Sequence, residues 1–241
     1  MTGACTIILP TFRESENIAR MVGTLREMYP DHKILIMDDN SDDGSEELVE
    51  ALNDPLVRFF VREPEDRGLS ASIFQGIMET DTEYFVNMDC DFQHPPSAVG
   101  SICSELENGA DLCIGVRKER TALSPIRWVA SWAAHFLAVQ TLWLRNKKRS
   151  GDIMSGLFGG RTEVFKEVIS VNSSEFEMRG FKALYDLMKF APESLEVEEI
   201  MFEFGTRQGG ESKLSSDVIL SLLRQSEPYG KTLAKLMKKA L

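Results

Sequence analysis

Apolar and polar positions follow two periodicities along the first half of this chain. Short apolar runs alternate with longer stretches in which apolar residues recur every three or four positions. The short runs predict buried strands, and the longer stretches predict amphipathic helices. The predicted strands are Cys5–Pro10, Lys33–Asp38, Val57–Arg62, Tyr84–Asp89 and Asp111–Val116. The predicted helices are Ser15–Met28, with Ser15 as its N-cap, Gly44–Leu52, Leu69–Thr80 and Pro96–Asn108. This alternation favours an α/β fold with a Rossmann-like, mostly parallel sheet flanked by helices.

The pattern changes after Gly115. A long apolar helix, Ser124–Leu144, is followed by a basic stretch and a glycine-rich segment, GDIMSGLFGG. The remaining predicted elements are helices Thr162–Ile169 and Gly180–Phe190, a strand Leu195–Phe204, a polar loop TRQGGESK and a final helix. Because no linker interrupts the chain, we expect one domain over residues 1–215, including the helix 124–144, and then a C-terminal helix with a basic amphipathic tail over 216–241.

Charge and composition narrow the function classes. The 241 residues carry 38 acidic and 27 basic side chains, a net charge of −11 that repels a polyphosphate backbone and argues against nucleic-acid binding. The first residues lack the pattern of a secretory signal, which predicts a cytoplasmic protein. Polar residues interrupt the longest apolar stretch, Ile126–Leu144, so we predict no transmembrane span. The four cysteines lack CxxC or Cys/His metal-site spacing and are predicted to be reduced and structural.

The turn after the first predicted strand excludes two nucleotide-binding devices. It reads PTFRESEN and lacks the G-x-G-x-x-G of a dinucleotide-binding unit. A GxxxxGK[ST] loop is also absent from the sequence. If a nucleotide binds, another arrangement holds its phosphates.

Acidic residues follow two of the predicted parallel strands. DDNSDDG begins at Asp38, and DCDFQHPP begins at Asp89. Residues two apart on an extended segment point to one side, so Asp89, Asp91 and Gln93 can converge as oxygen ligands, which suit Mg²⁺ or Mn²⁺. For the Asp38 cluster, a solvated turn with side-chain capping stays an open alternative.

Two helical segments are candidates for a lipid surface. Arg127, Ser131 and His135 form one polar stripe on the otherwise apolar helix 124–144. That helix is either buried core or an interfacial helix, and its tryptophans and the Arg145–Arg149 cluster favour the interface. The tail 231–241 separates four lysines from its apolar residues, which suits an anionic membrane or a helix packed on the domain.

Five motifs together resemble a known family. PTFRESEN, DDNSDDGS, DCDFQHPP, DIMSGLF and RQGGESK, in this order, resemble the family 2 glycosyltransferases of GT-A fold. The resemblance is greatest to the dolichol-phosphate (polyprenol-phosphate) mannosyltransferases. Phe12 stands where the family has Tyr, and Ile153 stands where it has Pro.

The resemblance implies roles for individual residues. It implies nucleotide-sugar contacts from Pro10, Phe12, Glu14, Met37, Asp38, Asp89, Cys90, Asp91, Arg207 and Lys213. It implies Mg²⁺ or Mn²⁺ on Asp89, Asp91 and Gln93, and the acceptor phosphate on Arg117, Arg127 and Ser131. The group expected to carry the reaction is Asp91, Arg117, Arg127 and Ser131.

The implied activity is metal-dependent, inverting transfer of mannose from GDP-mannose to a polyprenyl (dolichyl-type) phosphate. The implied location is the cytoplasmic face of a membrane, to which the protein binds peripherally, with or without a separate membrane-anchoring subunit. Two alternatives stay open: the same chemistry with UDP-glucose, and a non-catalytic subunit that binds a sugar nucleotide.

Overall fold

A seven-stranded mixed sheet forms the centre of the computed structural model, which describes residues 5–118, 138–180 and 182–205. The strands are β1 (Cys5–Thr11), β2 (Lys33–Asp38), β3 (Val57–Val61), β4 (Tyr84–Asn87), β5 (Leu112–Arg117), β6 (Phe158–Arg161) and β7 (Val197–Phe202). Their order is β3-β2-β1-β4-β6-β5-β7, and β6 alone runs antiparallel to its neighbours.

Helices cover both faces of this sheet. They are α1 (Ile18–Met28), α2 (Ser45–Glu50), α3 (Leu69–Glu79), α4 (Ala98–Glu107), α5 (Thr162–Asn172) and α6 (Ala183–Phe190). Residues 138–144 are also helical, and 3₁₀ turns span Pro64–Asp66 and Ser173–Glu175. Buried residues of α1, α2 and α4 pack on one face, and those of α3, α5, α6 and residues 138–144 pack on the other. The alternation of strand side chains therefore feeds two apolar layers.

The predicted strands and helices of the first half are confirmed, with shifts at their ends. Helix α1 begins at Ile18 rather than Ser15, so the predicted N-cap was wrong. The carbonyl oxygen of Glu14 accepts hydrogen bonds from the backbone N–H groups of Asn17 and Ile18, which forms the turn before the helix. Strand β4 ends at Asn87, two residues earlier than predicted.

Strand β6 was missed because its sequence, FGGR, has the composition of a loop. It lies antiparallel between β4 and β5. A Cβ atom added to Gly159 would lie 2.6 Å from the carbonyl oxygen of Phe85 and 2.6 Å from the side chain of Ile102. The close approach of neighbouring backbone and helix therefore requires glycine in a strand whose propensity would otherwise argue against it.

Several predictions fall outside the described residues. These are the first part of the helix 124–144, the boundary at 215/216, the final helix and the basic tail. In the described part of the chain, no helix combines the length and hydropathy needed to cross a bilayer. The four cysteines all lie in that part; each is a buried free thiol, as predicted.

Candidate functional site

The loops after β1 and β2 are tied together at the carboxyl edge of the sheet. The Asp38 carboxylate accepts hydrogen bonds from the Thr11 hydroxyl at 2.7 Å, the Ser41 backbone N–H at 2.6 Å and the Ser41 hydroxyl at 2.9 Å. Asp38 is 1% exposed. Its carboxylate therefore stabilises the turn that follows β2. Its contact with a nucleotide base stays a prediction.

The turn after β1 is hydrogen-bonded to the turn after β2. The backbone N–H of Arg13 donates to the Ser41 hydroxyl at 2.8 Å, and the N–H of Ser15 donates to Asp43 at 3.0 Å. Hydrogen bonds from Ser45 and Ser15 outweigh burial and lower the pKa of Asp43. Thus Asp43 links the two loops by accepting backbone hydrogens.

Phe12 lies on the outer part of this loop pair. The guanidinium carbons of Arg13 and Arg67 each lie 5.4 Å from the centre of its ring. Pro10 and Met37 are buried and paired in register on β1 and β2. The predicted nucleotide-binding residues Pro10, Phe12, Met37 and Asp38 thus occupy one corner of the sheet edge.

A buried ion pair beside this corner was not predicted from the sequence. Arg62 and Asp39 form an ion pair with side-chain exposures of 3% and 13%. Asp39 also accepts hydrogen bonds from the Ser72 hydroxyl at 2.8 Å and the Gly68 backbone N–H at 3.0 Å. The pair fastens the start of α3 to the end of β2 and fixes the loop that carries Asp38.

We expect Asp39→Ala to lower the free energy of unfolding by about 3 to 5 kcal/mol, because it leaves the Arg62 guanidinium buried without its carboxylate. Urea unfolding followed by circular dichroism measures this change. Asp42→Ala is the matched control, since its ion pair with Arg13 is 60% and 79% exposed and contributes little. Equal effects of the two substitutions would contradict the assignment.

The loop after β4 carries the predicted metal ligands. The sequence argument assumed that the three ligands lie on an extended strand. Strand β4 ends at Asn87, however, and the ligands lie in the loop that follows it: Asp89, Asp91 and Gln93. The Asp91 carboxylate accepts the Gln93 backbone N–H at 3.0 Å, and Phe92 between them has a φ of 62° in the left-handed region. The loop therefore turns sharply between the second acid and the glutamine.

His94 supports the Asp89 backbone. Its Nδ1 accepts the Asp89 backbone N–H at 2.9 Å, and its ring lies 5.6 Å from Phe202 and 5.9 Å from Phe204. The same Nδ1 atom lies 3.6 Å from the Asp89 carboxylate, so the His94 ring contacts both the backbone and the side chain of Asp89. The Asp89 side chain is 40% exposed.

Two further segments pack against this loop. The Asn87 side-chain amide donates to the Gly156 carbonyl at 2.7 Å, and a Cβ on Gly156 would lie 3.5 Å from the Asp89 carboxylate oxygens. The Gly205 N–H donates to the Gln93 carbonyl at 3.0 Å, and a Cβ on Gly205 would lie 2.6 Å from the Phe92 carbonyl oxygen. The DIMSGLF motif and the segment after β7 thus meet at the same acidic loop.

The pKa of the Cys90 thiol is affected by the negative charge of this region. Burial raises the pKa of its thiol well above the usual value, and the carboxylates of Glu14, Asp91 and Asp89 raise it further. The thiol therefore stays neutral. Glu14, from the first loop, adds a third acid to the neighbourhood of Asp89 and Asp91.

Arg117 lies at the end of β5, on the other side of the acidic loop. Its Nε donates to Asp152 at 2.8 Å, and its guanidinium lies 5.4 Å from the ring of Phe204. Asp152 is 2% exposed, whereas the Arg117 side chain is 33% exposed. Asp152 thus orients a guanidinium whose two terminal nitrogens add four more donors.

Lys182 was missed by the sequence argument. Its ammonium group donates to the Met154 carbonyl at 3.0 Å. Burial lowers the pKa of Lys182, the nearby charge of Arg117 lowers it further, and Asp152 and Asp89 act in the opposite direction. Two cations and the acidic loop therefore meet at one end of the sheet. A lysine at a helix start carries no sequence signal that distinguishes it from a solvated lysine.

Four predicted site residues lie outside the described residues: Arg127, Ser131, Arg207 and Lys213. Their roles stay predictions. All the others lie at the carboxyl ends of β1, β2, β4 and β5 or in the loops that follow them, where open α/β sheets bind ligands.

Comparisons with known proteins agree with this arrangement. The model of the family described as "Glycosyl transferase family 2" matches residues 6–169. The dolichol-phosphate mannosyltransferase of Mycosarcoma maydis is 34% identical over 93% of this chain and 78% of its own length. The protein of the same name from Pyrococcus furiosus is 29% identical over 91% of this chain, which spans 61% of that relative.

A solved structure shows the same fold. Glucosyl-3-phosphoglycerate synthase from Mycobacterium tuberculosis, in complex with Mn²⁺, UDP and phosphoglyceric acid, matches with a TM-score of 0.62 at 16% identity, over 94% of this chain and 80% of that one. The single α/β domain, with its mostly parallel sheet flanked by helices, is therefore the expected GT-A fold. The family match over more than half of the chain, together with the Mycosarcoma maydis relative, leads to one conclusion: this chain belongs to glycosyl transferase family 2 and is a glycosyltransferase.

Proposed function

We propose that this glycosyltransferase transfers mannose from GDP-mannose to a polyprenyl phosphate and produces a β-linked polyprenyl-phosphate mannose. The observation that carries the proposal is the meeting of the Asp89/Asp91 loop with the Arg117–Asp152 pair and Lys182 at one edge of the sheet. An acidic loop suits a cation that binds a diphosphate, and adjacent cations suit a second phosphate. The names of the mannosyltransferase relatives give the sugar and the lipid.

The donor set fits a divalent cation. Asp89, Asp91 and Gln93 supply carboxylate and amide oxygens, and the Asp89 carboxylate is partly exposed. Such hard ligands suit Mg²⁺ or Mn²⁺, which keep positions for substrate phosphates. The cation, when bound, stabilises the negative charge that develops on the departing nucleoside diphosphate. The solved structure of the same fold with Mn²⁺ and UDP supports this assignment.

The chain's own residues hold the donor from two sides. Pro10, Phe12, Glu14, Met37 and Asp38 line the nucleotide corner, with the neighbouring backbone of Cys90 facing the sugar diphosphate. Arg207 and Lys213, in the polar loop TRQGGESK, close over the diphosphate and exclude water. Electrostatic stabilisation by such fixed cations is worth several kcal/mol in a site without water, about 3 kcal/mol for a single donor.

The acceptor needs orientation more than deprotonation. A phosphate monoester has a second pKa of about 6, so its oxygen is a largely ionised nucleophile at neutral pH without a general base. Arg117, with Arg127 and Ser131 from the segment 124–144 that the sequence predicts to be helical, binds this phosphate and orients it toward the anomeric carbon. Attack in a single displacement inverts an α-linked donor to a β-linked product.

Exposed apolar residues at the end of the helical segment 138–144 suit a lipid acceptor. Trp143 is 60% exposed and Leu144 is 58% exposed. They precede the basic stretch Arg145–Arg149, in which Arg145 lies 5.2 Å from the ring of Phe190. Tryptophan and basic residues together are typical of a membrane interface. We therefore propose peripheral binding to a membrane surface through the helix 124–144 and the tail 231–241, with or without an anchoring subunit.

Arg127→Ala is expected to raise the KM for polyprenyl phosphate by about 10- to 100-fold, since a charge-assisted hydrogen bond is worth about 1.5 to 3 kcal/mol. The KM for GDP-mannose should change by less than a factor of about three, because Arg127 touches only the acceptor in this account. Steady-state kinetics with each substrate varied in turn gives both values. Equal increases in the two KM values would contradict the role.

Isothermal titration with GDP-mannose and with UDP-glucose, each with Mg²⁺, tests the donor assignment. We expect GDP-mannose to bind at least about 10-fold more tightly, a difference of about 1.4 kcal/mol. Tighter binding of UDP-glucose would replace mannose by glucose in the proposal. Tight binding without any transfer to polyprenyl phosphate would favour a non-catalytic sugar-nucleotide-binding subunit.

A further inference from the structure

Three potential metal ligands that are far apart in sequence meet at the amino end of the sheet. Cys5 begins β1, His32 lies in the turn before β2, and Cys103 lies in α4. Their ligand atoms all lie within 4.8 Å of one another, and the residues are 0%, 4% and 2% exposed. Sequence spacing does not predict this cluster, because the contacts form only when β1, β2 and α4 pack together.

The separation of these atoms fits a shared tetrahedral ion. Zn–S and Zn–N bonds of about 2.3 and 2.05 Å place a sulfur and a nitrogen ligand about 3.6 Å apart and two sulfur ligands about 3.8 Å apart. The Cys103 Sγ and the His32 Nε2 are 3.8 Å apart. The pair is therefore within a few tenths of an ångström of the spacing that one zinc ion imposes.

The His32 ring is fixed in this orientation. It stacks on Tyr29 with ring centres 5.2 Å apart and an interplanar angle of 18°. Arg26 holds the adjoining backbone by donating to the carbonyl oxygens of His32 at 2.8 Å and of Tyr29 at 3.1 Å. Turning the His32 ring so that its Nε2 faces solvent would break the stack on Tyr29.

The buried imidazole of His32 lacks good hydrogen-bond partners. Among the described residues its Nδ1 has no hydrogen-bond partner, and its Nε2 meets a thiol, which is a weak hydrogen-bonding group. A buried polar group without a good partner is destabilising. A metal–nitrogen bond at Nε2 would supply the missing stabilisation.

Glu107 lies at the rim of the cluster. It is exposed and stands four residues after Cys103 at the end of α4, so both side chains lie on one helix face. Its charge is close enough to act on the pKa values of both Cys5 and Cys103. Glu107 is not among the residues whose ligand atoms lie within 4.8 Å of one another, so it adds negative charge beside the cluster rather than a ligand.

We propose that Cys5, His32 and Cys103 bind a structural Zn²⁺ ion that ties α4 to the amino ends of β1 and β2. The ligands are two thiolates and an imidazole, donors that zinc accepts in tetrahedral coordination. The site lies at the end of the sheet opposite to Asp89 and Asp91, so it is separate from the proposed sugar-transfer chemistry. It does not depend on the proposed function.

Titration of the chelator-treated, thiol-reduced full chain with Co²⁺ tests the site. We expect a thiolate-to-cobalt charge-transfer band that saturates at one equivalent, and we expect one equivalent of Zn²⁺ to abolish it. Zn²⁺ should also raise the melting temperature. Absence of the band in the wild-type chain, or of any Zn²⁺-dependent shift in melting temperature, would overturn the proposal.

Substitutions locate the ion. Cys103→Ala should weaken Zn²⁺ binding by more than about 100-fold. Cys113→Ala is the matched control, because Cys113 is an equally buried thiol, on β5, outside the cluster. If Cys103→Ala does not fold, His32→Gln, which keeps both thiols, should shift the cobalt spectrum and weaken binding. An unchanged band in either cluster variant, or its loss in Cys113→Ala, would contradict the assignment. Asp91→Asn should leave the band unchanged, which separates this site from the catalytic one.

Discussion

Asp91→Asn is expected to lower kcat for mannose transfer by about 10³-fold, a loss of about 4 kcal/mol of transition-state stabilisation. The substitution removes one negative charge from the proposed cation site. The asparagine keeps an oxygen that can accept the Gln93 backbone N–H, which the Asp91 carboxylate accepts at 3.0 Å in the wild-type chain. We therefore expect the loop to keep its conformation. Kinetics at saturating Mg²⁺, with circular dichroism to verify folding, measures the effect.

The matched control for this variant is Asp111→Asn. Asp111 also accepts a backbone N–H, that of Glu196 at 3.0 Å, but it precedes β5 at the opposite end of the sheet. Its replacement should leave kcat within a factor of about two. If Asp91→Asn turns over at the rate of Asp111→Asn, Asp91 does not bind the catalytic cation.

Lys182→Met is expected to raise the KM for polyprenyl phosphate by about 10- to 100-fold, because it removes one of the two cations beside the acidic loop. Lys182→Arg keeps the charge and should recover most of this loss. Lys33→Met, which removes an exposed lysine paired with Asp81 at the other end of the sheet, serves as the control. If Lys182 has only a structural role, the Met and Arg variants should lose equal amounts of stability, and the KM for polyprenyl phosphate should not change.

The pH profile gives a second measurement on Lys182. Burial and then Arg117 lower its pKa, so its ammonium charge is lost at a lower pH than that of an ordinary lysine. The KM for polyprenyl phosphate should therefore rise on the alkaline side in the wild-type enzyme. In Lys182→Arg this rise should move to higher pH, because an arginine stays charged. An identical alkaline profile in both proteins would remove Lys182 from acceptor binding.

Local periodicity was enough to predict the first half of the fold. Most of the strands β1 to β5 and helices α1 to α4 bury apolar side chains at regular spacing, so their existence follows from the sequence, although their ends move by a few residues. Strand β6 could not be predicted in this way, because Gly159 is required by contacts with Phe85 and Ile102, which are distant in sequence.

The acidic residues of the site could also be predicted from the sequence, whereas the basic residues and their partners could be predicted less well. Asp38, Asp89 and Asp91 follow predicted strands, so topology alone brings them to one edge. The Asp39–Arg62 pair, the Arg117–Asp152 pair and Lys182 depend on which loops meet in three dimensions. Short motifs do not contain that information.

The central claim is that this edge of the sheet carries cation-dependent transfer of mannose from GDP-mannose to a polyprenyl phosphate. The most direct measurement is the formation of labelled lipid from GDP-[¹⁴C]mannose and a short polyprenyl phosphate, with Mg²⁺ or Mn²⁺ and with EDTA. We predict a β-linked mannolipid that forms only with the divalent cation and does not form in Asp91→Asn. Undiminished mannolipid formation in EDTA, or a labelled lipid from UDP-glucose and none from GDP-mannose, would contradict the account.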